Sequence, residues 1–225
     1  MASPAELRSA GKRQAIIEAA RSVFLAGGFA GASVDEVAAL ASTSKRTVYG
    51  LFGDKKGLFT AVITEDIEAA EHRSHDSVEA LAASQDLATD LRAFARRHVV
   101  NVIQPHIMRL RRLIIGEAER FPDLAGTWYA NGPGRGHATL AQVFTTLAER
   151  GLLKADDPPL AAQHFNWLIL SIPLNQAMFH TGDDQLTPAD LKHYADEGTR
   201  VFLAAYGVSR PSRPAGTLGA GDRSQ

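Results

Sequence analysis

Apolar residues recur at intervals of three and four along most of this chain, and no stretch holds the two-residue alternation of a strand, so the pattern predicts an all-α fold. From Lys12 to Ala26, a stripe of Ile16, Ile17, Ala20, Val23 and Phe24 marks a first helix, which Gly27-Gly28 terminates. Two short helices follow. Val37, Ala38 and Ala41 give the first a small apolar face, Val48, Leu51 and Phe52 give the second an inward face, and Ser42, Thr43 and Ser44 form the turn between them. Ser33 stands at an N-cap with Glu36 at N3, the spacing of a capping box, and Ser44 is placed to cap the second helix. A fourth helix starts near Asp54 and carries Leu58, Phe59, Val62, Ile63 and Ile67 toward Glu71.

Further helical patterns cover about 86–103, 106–120, 122–131 and 135–150, with Pro122 at a first helical position. The last two helices are the best punctuated. Asp157-Pro158 supplies an N-cap and an N1 proline ahead of Phe165, Leu168, Ile169, Ile172 and Met178, with Pro173 expected to kink the run. Thr187-Pro188-Ala189-Asp190 supplies a cap, an N1 proline and an acid at N3, and Leu191, Tyr194, Ala195, Gly198, Val201, Phe202 and Ala205 continue the stripe almost to Gly207. Residues 1–10 read as a flexible polar arm and 208–225, rich in Ser, Pro, Gly and Arg, as a disordered tail.

A short helix, a tight turn and a second short helix opening on Lys45, Arg46 and Thr47 is the form in which a helix-turn-helix meets the DNA major groove. Over about residues 12–60 the chain resembles the tetracycline-repressor (TetR) family, with Ser33, Val37, Ala38, Ala41, Ser44, Thr47, Val48, Tyr49, Phe52, Lys55 and Leu58 in register with its N-terminal pattern. Three positions depart from that pattern. Ser42 replaces a turn glycine, Leu51 replaces an aromatic or histidine that often touches DNA, and Gly57 replaces an acid early in the fourth helix and weakens its first turn.

The resemblance implies a ligand-responsive transcriptional regulator, in this family usually a repressor released from its operator by a small molecule. Its partners would be a palindromic double-stranded DNA operator, a largely apolar effector, and a second copy of the chain paired through the last two helices. Residues 11–53 would form the DNA-binding domain and 54–207 the ligand-binding and dimerisation domain. Ser33, Ser44, Lys45, Arg46, Thr47, Tyr49 and Lys55 are the expected DNA-contacting residues, with plain core packing the alternative for Tyr49. The expected effector contacts are His98, Trp128, His164, Trp167, Asn175 and Met178, polar or aromatic groups among aliphatics; an ordinary core is described by the same residues.

The net charge of −1 argues by itself against a nucleic-acid partner, but residues 1–60 hold eight Lys and Arg against five acids, +3, which leaves −4 for the rest. Cations in a helix's first turn oppose the macrodipole by about 0.3–1 kcal/mol each, so Lys45-Arg46 and Lys55-Lys56 make sense if phosphates approach there. The chain has no cysteine, which excludes disulfides and thiolate metal sites. The apolar run from Trp167 to Leu174 falls short of a roughly 18-residue membrane span, and no signal-peptide apolar region opens the chain, so the expected location is the cytoplasm.

Glu71, His72, His75 and Asp76 include histidines three apart on one helix face, yet no third ligand follows at diagnostic spacing, and a polar helix end is the better reading. Arg109, Arg111 and Arg112 resemble an anion site and read better as a solvated face. Gly132-Pro133-Gly134-Arg135-Gly136 lacks the preceding strand and lysine-serine ending of a phosphate loop and reads as a helix-breaking loop. No cofactor motif, metal set or nucleophile–base pair supports an α-helical enzyme. An architectural DNA binder without ligand control is the other alternative.

Overall fold

The computed structural model describes the backbone of residues 4–179 and 186–208, and their side chains except those of 4–8, 67–77 and 79. In chain order the helices are α1 (Pro4–Gly31), α2 (Val34–Leu40), α3 (Lys45–Phe52), α4 (Lys55–Ala82), α5 (Leu87–Val102), α6 (Pro105–Gly116), α7 (Pro122–Tyr129), α8 (Arg135–Glu149), α9 (Pro158–Phe179) and α10 (Pro188–Tyr206). Among the described residues the one strand-like pairing is an isolated antiparallel bridge between Leu153 and Gly207, beside which Lys154 N donates to Tyr206 O at 2.7 Å.

Capping chemistry places most of these boundaries. Thr187 Oγ1 accepts from Asp190 N at 3.2 Å and Asp190 Oδ2 accepts from Thr187 N at 2.9 Å, a reciprocal box that opens α10. Asp157 Oδ1 accepts from Leu160 N at 3.0 Å and opens α9, which then runs on through Pro173. Ser33 caps α2 by accepting from Asp35 N at 3.2 Å, but the return contact from Glu36 does not form, so this is a simple cap and not a box. α1 starts at Pro4 because helix formers follow that N1 proline, so residues 4–10, expected to be an arm, carry helical backbone. Its helical path breaks at Gly28, at φ 66 and ψ −178. α4 runs beyond Glu71 to Ala82, since no Gly or Pro interrupts that stretch. The Ile67 side chain, the Glu71, His72, His75 and Asp76 side chains and the expected tail from 209 onward lie outside the described residues.

Residues 132–136, expected to be a helix-breaking loop, instead continue the helical path: Ala130–Gly134 form a single π-helical turn that joins α7 to α8, and Arg135 and Gly136 open α8. Pro133 lacks an amide hydrogen, and the wider turn absorbs the loss without ending the helical path. Ser42 is the one non-glycine residue at positive φ, 49°, among the described residues, where the family pattern has glycine. Left-handed backbone costs a non-glycine residue roughly 1–2 kcal/mol, partly offset by glycine's larger loss of freedom on folding, roughly 0.5–1 kcal/mol. Ser42→Gly should therefore raise unfolding free energy by about 0.5–1 kcal/mol. A urea titration checks this, and a fall in stability would mean that the turn is held by the serine side chain.

The helices enclose two apolar cores. The first gathers Ile16, Ile17, Ala20 and Phe24 of α1, Val37 of α2, Val48 of α3 and Leu58, Phe59 and Ile63 of α4, and it extends to Leu110 and Ile114 of α6 and to Phe121 and Leu124 at α7. The second joins Leu91 and Val99 of α5, Phe144 and Leu147 of α8, Phe165 and Ile169 of α9 and Ala195 and Phe202 of α10. Arg96 clamps α5 to α10 with two bonds to Asp196, 2.6 and 2.7 Å. Gly198 allows α10 to press onto α9, because a Cβ there would stand 2.6 Å from Leu168 O. Ala195 and Gly198, on the stripe of one of the two helices expected to pair with a second copy, are thus spent inside the protomer, while Ala205 is exposed.

Candidate nucleic-acid interface

The start of α3 is built from its own first turn. Ser44, in extended conformation at φ −93 and ψ 149, accepts from Thr47 N at 3.1 Å, and its Oγ lies 2.9 Å from Thr47 Oγ1. Val48 is the buried residue of α3 and anchors it to the first core, which leaves Arg46, Tyr49 and Leu51 facing out. Tyr49 is 39% exposed and Leu51 42%, so the position that lacks its aromatic still lies on the outward side of the helix.

The expected cations differ in what they touch. Lys45 Nζ donates to Asp35 Oδ2 at 2.8 Å across the turn from α2, and its ammonium lies 6.0 Å from the Tyr49 ring centre. That hydrogen bond and charge hold the Lys45 pKa above its usual value. Lys55 Nζ donates to Ala30 O at 3.2 Å and stands 5.0 Å from the Phe29 ring centre. Lys56 stands 5.6 Å from the Phe121 ring centre. Internal partners thus account for three of the four cations at helix starts without a phosphate. Arg46 is exposed and has no partner among the described residues.

Gly57 has a reason that its helix propensity hides. A Cβ there would stand 2.1 Å from Phe52 O, so glycine is what lets the α3–α4 corner close, and Asp54 Oδ1 caps the new helix by accepting from Gly57 N at 2.7 Å. The corner leads to an aromatic joint that the sequence did not reveal. Phe29 lies 4.6 Å from Phe121 and 5.2 Å from Phe59, and the Arg120 guanidinium lies 4.7 Å from the Phe29 ring. Arg21 adds an ionic seam between α1 and α4, at 2.8 Å from Asp66 and 3.4 Å from Glu65.

The expected effector residues separate into three places. His98 is half-buried against the second core, 3.1 Å from Asn166 Oδ1 and stacked 5.4 Å from Phe94, and burial pushes its pKa down. Trp128 is half-buried on α7 beside Arg111, at 5.1 Å, and Met178 is half-buried at the end of α9, where Arg112 Nη1 reaches its carbonyl at 3.4 Å. His164, Trp167 and Asn175 are exposed. His164 Nδ1 lies 2.6 Å from Tyr206 Oη, and with Trp167, Leu168, Ile172 and Val201 these two line an open depression across α9 and α10. Arg112 and Arg111, expected on a solvated face, point inward instead, while Arg109 is exposed.

Because the folded protein holds His98 below the ordinary imidazole value, the unfolded chain binds more protons in mild acid. Stability should be level above about pH 7 and decline as pH falls through about 6.5 and below, the unfolded imidazole range. Denaturation midpoints for wild type and His98→Gln at pH 5 and pH 7.5 check this: the variant should lose less on acidification, and equal losses would assign the acid sensitivity elsewhere.

Residues 16–62 match the sequence profile of bacterial regulatory proteins of the tetR family, and residues 89–208 match that of the AefR-like transcriptional repressor C-terminal domain. A TetR-family transcriptional regulator from Mesorhizobium loti is 38% identical, with a TM-score of 0.83 over 89% of this chain and 99% of that one. The flavonoid-responsive regulator FrrA is 30% identical, with a TM-score of 0.68 over 88% of this chain and 98% of its own. A TetR-family regulator from Pseudomonas syringae pv. tomato is 25% identical, with a TM-score of 0.66 over 88% and 97%. Among curated proteins, none matches this chain.

Proposed function

The chain belongs to the TetR family of transcriptional regulators, and on that premise we propose that it is a homodimeric repressor whose operator binding is relieved by a small effector. Residues 11–53 read the operator and 54–207 dimerise and sense. The observation that supports this most is the opening of α3, where an exposed Arg46 with no partner among the described residues stands beside Ser44, Thr47 and Tyr49 on a helix fixed from behind by Val48. Effector control is supported by the likeness to FrrA, which is flavonoid-responsive. No helix among the described residues is long and apolar enough to cross a membrane.

Dimerisation uses the outward face of α9 and α10, where Trp167, Leu168, Ile172 and Val201 stand 40–52% exposed on neighbouring turns. Pairing two copies there makes a four-helix, isologous interface and sets two α3 helices about 34–36 Å apart or somewhat more, one DNA turn. The effector binds the dimer better when its two α3 helices are wrongly spaced and so depletes the DNA-competent state.

Arg46 reads a base and Lys55 positions the backbone. A bidentate arginine–guanine contact discriminates by about 1–3 kcal/mol, so Arg46→Ala should chiefly erase preference at one base pair per half-site. Lys55→Ala should weaken all operators alike and reduce the salt slope by about 0.9. Because Lys55 also ties α4 to the Ala30 carbonyl, the same change should lower the melting temperature, which Arg46→Ala leaves in place. Titrating both variants against an operator panel at several salt concentrations tests the assignment, and altered base preference in Lys55→Ala at an unchanged slope would reverse it.

A further inference from the structure

Arg111 points inward from α6, and no carboxylate among the described residues meets it. Its Nε is buried without an acceptor, and its guanidinium lies 5.1 Å from the Trp128 ring centre. Burial pushes its pKa downward, and no acid among the described residues compensates the charge. Its neighbour Arg112 is engaged through Nη1, which donates to Ala177 O at 2.9 Å and to Met178 O at 3.4 Å at the end of α9. One residue before Ala177, Gln176 Oε1 is buried and receives no donor. A buried donor without an acceptor and a buried acceptor without a donor are therefore the sequence neighbours of Arg112 and Ala177, the two ends of a direct link between α6 and α9.

Folded proteins pair nearly all such buried groups, and arginine does not escape the penalty by releasing its proton. The planar fork of a guanidinium matches a carboxylate in two parallel hydrogen bonds. We propose that Arg111 is the anion-recognising group of the effector site: the effector is an aromatic organic acid whose carboxylate pairs with Arg111 beside Trp128, while a hydroxyl on its body donates to Gln176 Oε1. This rests on the effector-controlled reading above and adds the chemical class of the ligand. It also supplies a route to the DNA end, because α6 buries Leu110 and Ile114 in the first core among residues of α1–α4. A ligand that draws Arg111 toward itself acts on a helix whose other face supports the helix-turn-helix.

Calorimetric titration of the full chain with benzoate, salicylate and 2-naphthoate, each against its primary amide, tests the proposal. At least one acid should bind ten or more times tighter than its amide. Arg111→Met should abolish that preference without weakening the amide, and Arg111→Lys, which keeps the charge but loses the fork, should retain a fraction of it. Without ligand, Arg111→Met should melt about 2–4 °C higher, because a part-buried cation whose Nε lacks an acceptor is removed; an arginine with a structural role would give a lower value. The proposal is overturned if acids bind no better than amides, if none of the three acids binds, if Arg111→Met keeps the preference, or if that variant melts lower. Operator binding measured alongside separates the two readings. A protein that binds DNA yet shows no preference for acids defeats the Arg111 assignment alone, whereas one that prefers acids but binds no DNA defeats the regulator reading alone.

Discussion

Ile172→Asp combined with Val201→Asp should yield a folded monomer that has lost most of its operator affinity. Both side chains point away from the protomer, 52% and 42% exposed, so in a single copy the new carboxylates stay in water. In the dimer proposed for this face they would be buried, two per copy, with no cation on the depression to meet them, since its other lining residues are His164, Trp167, Leu168, Ser171, Ala205 and Tyr206. A monomer engages one half-site at a time and forfeits the effective concentration that tethers the second reading helix, a loss of about 100-fold or more. Sedimentation and operator titration should move together. Ile115→Asp, on an equally open α6 position at 58% exposure, should leave both unchanged. A double variant that still sediments as a dimer would place the interface elsewhere.

Gly198→Leu should have the largest effect on stability of any single change in the helical body. The first atom of any side chain there would lie 2.6 Å from Leu168 O and 2.8 Å from Ile169 Cγ2, and the first of these is backbone that cannot rotate aside. Overpacking a well-filled site costs about 1–3 kcal/mol when side chains can rearrange, so the cost here should reach or pass the upper end. At about 2–4 °C per kcal/mol for a chain of this size, the melting temperature should fall by roughly 10 °C. The exposed Ala204→Leu on the same helix should change it little, and a similar fall in both variants would point to helix propensity and not to the crossing. Because the α9–α10 crossing also sets the outward face, Gly198→Leu should weaken dimerisation as well.

Much of the helical order was legible because it is written locally. Thr187 with Asp190, Asp157 with Pro158, and Ser44 with Thr47 act within four residues of one another, and the cap chemistry alone marks where each helix begins. The left-handed conformation of Ser42 was legible for the same reason. What a stripe faces was not. Ala195, Gly198 and Val201 lie on one helix, but periodicity does not distinguish contact with α9 of the same chain from contact with another copy, and the structure assigns the first two inward and the third outward. The internal partners of Lys45, Lys55 and Lys56, which are Asp35, Ala30 and Phe121, were not legible because they come from other elements. Of the six residues expected around an effector, His98 is committed to Asn166 and three are exposed, while Arg111, set aside as surface, holds a buried Nε without an acceptor.

The aromatic joint restricts how this regulator can be recombined with others. Phe29 and Phe59 close against Phe121, with Arg120 laid over the ring of Phe29, so the N-terminal helices finish their own core with residues that come about 90 positions later in the chain. A chimaera that exchanges residues 1–53 for those of a relative keeps the donor's groove chemistry but inherits the host's Phe121 and Arg120. Grafts should succeed where the donor has an aromatic at the position of Phe29 and fail to fold where it has a small or charged residue there. Portability of DNA specificity within the family is then set by one buried ring on each side of the graft junction, and compatible donors can be chosen from sequence by that pair before any operator is known.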